Sequence, residues 1–349
     1  MFRRRPRRRG LALAGAGSMA GVHAAAAGDA GLPVVAVASA TGSSARHLAG
    51  ELDARRVSAA DLPAGADVLV VATPPTAHVD ATLAGLAAGA TVLVESPITA
   101  TLSDADRMVT APGRSTGRLR ATANLRCSPA WRTALDRIAQ LGPLGHLSAS
   151  VTQPTPDWGH FRDTLQAGGV LFTSGAQLLP LLLDAAGAGA AHRGVARVDA
   201  VAATLESSRN DGADDRAELT LRLRTGGTDA DLTATLHAEW GPGASTWVQA
   251  AGELGAVRIE FAPSITVEHN GERVPTSAAT TSPLHQLGYV AQLAELGTDA
   301  DATLDVDAAV HVLDAVTAAY RSAGRHGEWI DLSEPVERDR TPMQWWRTT

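Results

Sequence analysis

The sequence predicts an α/β fold that begins with a doubly wound parallel sheet, and three observations carry this prediction. The chain has 349 residues and is 45% hydrophobic, which suits about two domains with sizeable buried cores. Apolar runs of strand length alternate with helical stretches in the first third of the chain, as in consecutive βαβ units. Alternating apolar and polar residues, typical of half-buried strands, dominate residues 216–261.

Four apolar runs in the first third are predicted strands: residues 11–14, 33–39, 67–73 and 90–95. Residues 77–88 are helical in pattern, so the strands on either side are expected to be parallel. The first strand runs into Gly15-Ala-Gly17-Ser18-Met19-Ala20, a G-x-G-x-x-A sequence that opens a helix of small residues. Gly15 would allow the tight turn, Gly17 the approach of a pyrophosphate, and Ala20 close packing of helix on strand. These residues predict a dinucleotide site.

The same region has a second interpretation. Six arginines among the first nine residues, followed by the apolar stretch 11–17 and four alanines at 24–27, resemble an export signal. Cleavage near residue 27 would remove the first predicted strand, so we favour the nucleotide site. The basic head 1–9 is then expected to be a solvated, disordered segment.

The residue at the tip of the second strand bears on cofactor choice. An acidic residue there binds the ribose hydroxyls of NAD, but this chain has Ser39, followed by Thr41, Ser43 and Ser44. Without a carboxylate, a 2′-phosphate is not repelled, and Arg46 could pair with it. The pattern leans towards NADP over NAD, unless Arg46 is only an exposed helix residue.

Composition and charge exclude several classes of function. All 30 basic residues are arginine, so no mechanism can use a lysine of this chain. The net charge is −7 despite the basic head, and an acidic body suits neither nucleic acid nor an anionic membrane. No apolar run is expected to reach the ~20 residues of a membrane span. The single cysteine, Cys127, excludes an internal disulfide, and we expect a cytoplasmic protein.

Six motifs, in order along the chain, resemble the Gfo/Idh/MocA oxidoreductases, which include glucose–fructose oxidoreductase and inositol dehydrogenase. They extend from residue 11 to about residue 185, and a compatible pattern continues beyond. The motifs are Gly15-x-Gly17-x-x-Ala20-x-x-His23, Thr73-Pro74-Pro-Thr-Ala-His78, Val94-Glu95-Ser96-Pro97 with the later Asp104-Ala-Asp106, Asn124-Leu-Arg126-Cys-Ser-Pro129, Leu141-Gly-Pro-Leu-Gly145 and Gly168-Gly169-Val170-Leu171.

The resemblance implies two domains: a dinucleotide-binding domain at 1–121 and a substrate and oligomerisation domain at 122–349. The second would be an α+β domain with an open, mostly antiparallel sheet and helices on one face. Strand patterns at 216–224, 231–239, 245–251 and 256–261 fit it, and the polar stretch 208–215 is expected to be an exposed loop. A helix at 305–322 and the C-terminal tail are expected to pack back on the first domain.

The resemblance also implies a small-molecule substrate and a homo-oligomer formed through the sheet. Cofactor contacts are expected from Gly15, Gly17, Ser18, Met19, Ala20, Ser39, Arg46, Thr73, Pro74, His78 and Glu95.

The catalytic positions implied by the resemblance are substituted in this chain. The family's lysine falls at Ser96, its aspartate at Thr173 and its histidine at Gln177. Thr173 and Gln177 are one helical turn apart, so both are expected to point into the cleft. None of the three titrates near neutral pH, so none is a plausible proton carrier.

A few further residues are candidates to replace the missing groups. His160 in the loop 156–163 has an intrinsic pKa suited to proton transfer, although it could be an ordinary surface histidine. Trp158 in the same loop is a candidate substrate contact. Arg126 could orient an anionic substrate group, or it could form an interdomain ion pair. No metal site is expected, because the acidic and histidine residues at 305–314 suit a solvated helix face.

Three functions remain compatible with the sequence. The first is an NAD(P)-dependent oxidoreductase acting on a sugar, cyclitol or related polar substrate through a reassigned proton relay. The second is a catalytically inactive pseudo-oxidoreductase that serves as a ligand sensor or partner subunit. The third is redox-assisted glycoside or imine chemistry, which would still need a proton carrier. The fold alone cannot choose among them.

Overall fold

The computed structural model describes residues 10–111, 117–156, 161–166, 168–189, 195–208, 212–226, 232–276, 281–298 and 305–347. The first domain is a six-stranded parallel sheet with the order β3-β2-β1-β4-β5-β6, the doubly wound arrangement that the sequence predicts. Its strands are β1 Leu11–Ala14, β2 Val34–Ala38, β3 Arg55–Arg56, β4 Val68–Val71, β5 Thr91–Val94 and β6 Arg118–Ala121. Its helices are α1 Ser18–Asp29, α2 Gly42–Glu51, α3 His78–Ala87 and α4 Leu102–Thr110.

The first sheet is buried on both faces, which accounts for its uninterrupted apolar strands. Every residue of β1, β4 and β5 is buried. Helices pack on both sides of a parallel sheet, so its strands do not alternate in polarity. The inward face of α1 is built largely from alanines, which lets the helix lie close to the sheet.

The second domain is a nine-stranded sheet with the order β14-β13-β12-β11-β7-β10-β9-β8-β15. Its described neighbours are antiparallel apart from β7 and β10, which are parallel, and this confirms the mostly antiparallel prediction. The strands are β7 Leu144–Gln153, β8 Ala196–Glu206, β9 Arg216–Thr225, β10 Leu232–Trp240, β11 Ser245–Gly252, β12 Gly255–Ala262, β13 Thr266–His269, β14 Glu272–Val274 and β15 Ile330–Asp331. The helices are α5 Pro129–Ile138, α6 Val170–Thr173, α7 Leu179–Gly189, α8 Pro283–Gln286, α9 Tyr289–Glu295, α10 Val306–Gly324 and α11 Pro342–Arg347.

One face of this sheet is covered by α5, α7 and α10. The alternation along β9 follows from that cover, because Leu219, Leu221 and Leu223 are buried while Glu218 and Arg222 face outward. The opposite face holds a shallow depression lined largely by serine, threonine and alanine. Self-association through this sheet stays a prediction.

Two parts of the second half pack on the first domain, as the sequence predicts for the C-terminal helix. Val290 and Leu293 of α9 join the apolar cluster beside α1. The long helix α10 contacts α4 and β6 as well as β8. Arg338, beyond α10, forms a two-pronged ion pair with Asp106 of α4, its Nε and Nη2 each 2.6 Å from a carboxylate oxygen. The two domains are therefore joined on both flanks of the space between them.

Two expectations drawn from the sequence are wrong. The stretch expected to be an exposed loop contains Asp214 and Asp215, which are buried. His311, expected on a solvated face, accepts a hydrogen bond from the Val198 backbone N–H at 2.9 Å, and burial lowers its pKa to about 4.

One segment of the described chain, Val170–Gly189, is long and apolar enough to cross a membrane by length and composition, but 78% of its most apolar window is buried inside the protein.

Candidate functional site: an interdomain cleft

A cleft of about 620 Å³ lies between the two domains, at the carboxyl ends of the first sheet's strands. Loops after parallel strands converge at this edge, which is where doubly wound sheets bind ligands. The first domain lines it with residues that follow β1, β2, β4, β5 and β6. The second domain contributes Asn124, Leu125, Arg126, Phe161, Thr173, Gln177, Pro180 and Tyr289.

The loop from β1 to α1 has the form of a pyrophosphate cradle. Gly15 has φ +116°, and a Cβ there would collide with the Ala72 carbonyl, so only glycine fits. Gly17 is different, because a Cβ there would meet nothing within 4 Å. No side chain caps the start of α1, which leaves the first N–H groups of the helix directed at this opening. Ser18 and Met19 also line the cleft, whereas Ala20 is fully buried and packs within the domain.

The end of β2 presents hydroxyl groups and no carboxylate to the cleft. Ser39, Thr41 and Ser44 line it. Arg46, which the sequence suggests as a phosphate partner, is exposed on α2 and is not among the lining residues. A different arginine approaches this end, because the Arg56 guanidinium lies 3.1 Å from where a Cβ of Gly42 would be, at the start of α2.

His78 shapes the loop after β4. It is buried, with Nδ1 2.9 Å from the Ile98 carbonyl oxygen and Nε2 2.8 Å from the Thr73 carbonyl oxygen. Burial lowers the pKa of His78, although the two carbonyl groups oppose that effect. The ring therefore ties the 73–78 loop to the segment after β5. Thr73 and Pro74 line the cleft as a result.

Glu95 is the only carboxylate among the described residues that line the cleft. His23, which is fully buried, donates from Nε2 to Glu95 Oε1 at 2.6 Å. The Ser96 backbone N–H and the Thr122 hydroxyl donate to Oε2. Burial alone would raise the pKa of Glu95, but the hydrogen bond and charge of His23, with the two other donors, lower it below its usual value. Glu95 is thus held as a carboxylate.

The cleft brings together the three neutral residues at the substituted catalytic positions. Ser96, Thr173 and Gln177 all line it. The Thr173 hydroxyl donates to the Gly169 carbonyl at 2.6 Å, and Gln177 Nε2 donates to the Thr173 carbonyl at 3.0 Å. The expected single helical turn is wrong in detail, because α6 ends at Thr173 and a 3-10 segment, Gly175–Leu178, carries Gln177.

Arg126 lines the cleft with its charge already paired. Its Nε and Nη2 donate to the two carboxylate oxygens of Asp184, each at 2.8 Å, and the Trp131 indole N–H lies 3.4 Å from Oδ2. Asp184 belongs to α7, so this ion pair lies within the second domain and does not join the two domains. The other two candidates, Trp158 and His160, lie outside the described residues.

Sequence reasoning missed a buried group beneath α6. Asp214 Oδ2 accepts from the Leu171 backbone N–H at 2.8 Å, and Oδ1 accepts from the Tyr320 hydroxyl at 2.5 Å. A Cβ at Gly169, whose φ is +126°, would collide with the Asp214 carboxylate. Burial raises the pKa of Asp214 to about 6, although both hydrogen bonds oppose that effect. Asp214 thus fixes the start of the segment that carries Thr173.

Tyr289 is a second missed residue. It lines the cleft, and its ring stands edge-on to His23 with centroids 5.9 Å apart. Burial, with the nearby Glu95 charge, raises its pKa, so the phenol stays protonated. In the sequence, its position four residues after His285 indicates only packing within a helix. The contact between α9 and the first domain has no local sequence pattern that would predict it.

Residues 9–121 match the family model GFO_IDH_MocA, described as an oxidoreductase family with an NAD-binding Rossmann fold. The first domain belongs to the Gfo/Idh/MocA oxidoreductase family. No curated protein matches the sequence. The family match covers the domain that holds the glycine loop, Glu95 and Ser96, and it confirms the resemblance inferred from the motifs.

Solved structures share the fold of nearly the whole chain. GenD2 from gentamicin A biosynthesis, in complex with NAD, is 22% identical with a TM-score of 0.77, covering 96% of this chain and 100% of its own. The aldose-aldose oxidoreductase from Caulobacter crescentus, complexed with glycerol, is 20% identical with a TM-score of 0.77, covering 93% and 100%. The WlbA dehydrogenase from Bordetella pertussis, in complex with NADH and UDP-GlcNAcA, is 20% identical with a TM-score of 0.77, covering 95% and 99%. At these identities the likeness establishes the two-domain fold.

Proposed function

We propose that this protein is an NAD(P)-dependent oxidoreductase acting on a sugar, cyclitol or similar polar substrate. The observation that carries the proposal is the opening at Gly17, where a bare backbone and an uncapped helix start face the interdomain cleft. Such a surface suits a pyrophosphate, which needs N–H donors and close backbone approach. The solved relatives in complex with NAD and with NADH support the same cofactor class.

The residues of the cleft form two sets, one that would bind the cofactor and one that would bind the substrate. The loop at 15–20 would hold the pyrophosphate, and Ser39, Thr41 and Ser44 would hold a ribose. A bound nicotinamide would supply the hydride acceptor or donor. Ser96, Thr173 and Gln177 would hydrogen-bond a substrate hydroxyl or carbonyl. Glu95 would be the nearest proton acceptor, but its lowered pKa makes it a weak base, so turnover is expected to be slow.

We propose that the protein accepts NADP(H) at least as well as NAD(H). Support comes from the end of β2, where the described lining residues offer hydroxyls and no carboxylate to repel a 2′-phosphate. Arg56, rather than Arg46, is the better-placed cation, since it reaches the start of α2.

A catalytically inactive pseudo-oxidoreductase is the second candidate, favoured by a specific observation. The charged residues that could assist proton transfer in the described cleft are engaged elsewhere: Glu95 with His23, and Arg126 with Asp184. In this case the cleft would bind cofactor and ligand and report their presence to a partner.

Restoring the family's side chains separates the two candidates. The triple variant Ser96→Lys, Thr173→Asp and Gln177→His supplies a cation and a proton carrier, whose effect is typically about 10²–10⁴-fold. We expect its NAD(P)+-dependent oxidation of myo-inositol or glucose to exceed that of the wild type by about 100-fold, measured by absorbance at the nicotinamide band. A wild type that oxidises either polyol faster than the triple variant would exclude the inactive candidate.

A further inference from the structure

A small apolar cavity opens off the cleft beside Ser96. It shares Ser96, Pro97, Thr122 and Pro180 with the cleft and extends inward between the first domain and α10. Its volume is about 40 Å³. Its remaining lining residues are all apolar, among them Ile98, Phe172, Ala176, Ala309 and Val316. We call this cavity the annex.

The Thr122 hydroxyl at the mouth of the annex is engaged with other partners. The Thr122 hydroxyl donates to Glu95 and accepts from the Ser96 backbone N–H. Inside, no lining side chain is titratable or can form a hydrogen bond, and Ile98, Phe172 and Val316 are almost fully buried. Water gains little in such a space, because a bound water needs two to four polar partners. An apolar group is the favourable occupant.

We propose that the annex receives a small alkyl substituent of the substrate. The inference rests on the proposed function, since the substrate's polar part would lie against Ser96, Thr173 and Gln177. Ser96 lines both the cleft and the annex, so it lies where the two meet. Among the polar substrates of the proposed function, the annex therefore favours neutral hydroxyl or carbonyl compounds with an adjoining alkyl group.

The volume sets the size of the substituent. A water-sized group needs about 10–15 Å³ on the same measure, so the annex holds roughly three such groups. A propyl group fills it, whereas a hexyl group does not fit. Each buried methylene is worth about fourfold in affinity, by the usual ~0.8 kcal/mol per CH₂.

A series of 1,2-alkanediols tests this directly. Saturation-transfer NMR titrations of the protein, with and without NAD, would give the Kd of 1,2-propanediol, 1,2-butanediol, 1,2-pentanediol and 1,2-octanediol. We expect the Kd to fall about fourfold per carbon up to pentanediol and not to improve for octanediol. A Kd independent of chain length, with saturation spread evenly along the chain, would overturn the proposal.

Two neighbouring alanines of α10 provide matched variants. Ala309 lines the annex and Ala308 does not, and both are half-buried. Ala309→Leu is expected to abolish the chain-length dependence, and Ala308→Leu to keep it. Ala176→Val is a second filling variant, should Ala309→Leu fold poorly. Equal behaviour of filled and control variants would also overturn the proposal. Quenching or enhancement of NADH fluorescence in the same samples reports on the proposed function separately.

Discussion

Gly15 and Gly17 are both glycines of one motif, yet they are required for different reasons. Gly15 is confined by the protein itself, through its positive φ and the Ala72 carbonyl. Gly17 has φ −88°, which any residue adopts, and open space in front of it. The fold would tolerate a side chain at Gly17, and a bound pyrophosphate would not. That contrast separates a structural glycine from a binding glycine.

A methyl group at Gly17 is therefore predicted to impair binding without impairing folding. Gly17→Ala should weaken NADH binding at least about tenfold, because its Cβ occupies space that the pyrophosphate needs. Gly21→Ala is the matched control, since its Cβ also meets nothing within 4 Å and alanine suits the helix interior. Fluorescence titration and thermal unfolding of both variants measure the two effects. Wild-type affinity in Gly17→Ala would mean that the pyrophosphate lies elsewhere.

Single residues also show where sequence reasoning ends. The glycine loop, Ser96, Thr173 and Gln177 could be placed in one cleft from the sequence, through the motifs that resemble the Gfo/Idh/MocA family. The ion pair of Arg126 could not, because Asp184 is 58 positions away and nothing local marks it. Arg56 was missed for the same reason, since only the strand order brings it beside Gly42.

At the scale of elements, the start of α6 depends on a carboxylate from outside the helix. Asp214, just before β9, accepts from the Leu171 N–H and the Tyr320 hydroxyl. Its pKa in the folded protein is about 6 against 3.8 for the free group, with burial as the main cause. A raised carboxyl pKa stabilises the fold below about pH 4, and this contribution is lost as pH rises through about 6.

Replacing this carboxylate is predicted to change the pH dependence of stability. The free energy of unfolding of Asp214→Asn, measured in urea, should not show the decrease between about pH 4 and pH 7 that we expect for the wild type. The wild-type value relative to the variant should then fall by about 3 kcal/mol over that range. Asp215→Asn is the control, since Asp215 is buried beside the same strand and contacts Ser208 instead. Parallel pH curves for wild type and Asp214→Asn would contradict the assignment.

The elements that sequence reasoning identified best are those buried on two faces. The strands β1, β4 and β5 were predicted because a short, continuous apolar run between turn residues is typical of a parallel strand covered on both sides. The change from α-helix to 3-10 helix after Thr173 was not, because Val170–Gly189 is mostly apolar and its pattern does not distinguish the two kinds of helix. Two adjacent aspartates, at 214 and 215, are typical of an exposed loop. Their burial could not be predicted, because their hydrogen-bond partners come from α6, α10 and Ser208.

At the scale of the whole molecule, the cleft is a joint product of both domains. The first domain supplies the glycine loop and Glu95, and the second supplies Thr173, Gln177 and Tyr289. Contacts of α9 with α1 and of α10 with α4 hold these walls together. The absence of lysine from the chain leaves Arg126 as the cation among the described lining residues, and Asp184 pairs with it. These features are the basis for proposing that the site binds a dinucleotide and transfers protons slowly.

Fluorescence titration of the wild-type protein with NADH and NADPH tests the central claim, that this cleft is a dinucleotide site. We predict a saturable change in nicotinamide emission for both cofactors well below millimolar concentration, with NADPH bound at least as tightly as NADH. Tight binding of NADH alone would refute the assignment of the β2 end to a 2′-phosphate. No change in emission with either cofactor at millimolar concentration would contradict the claim itself.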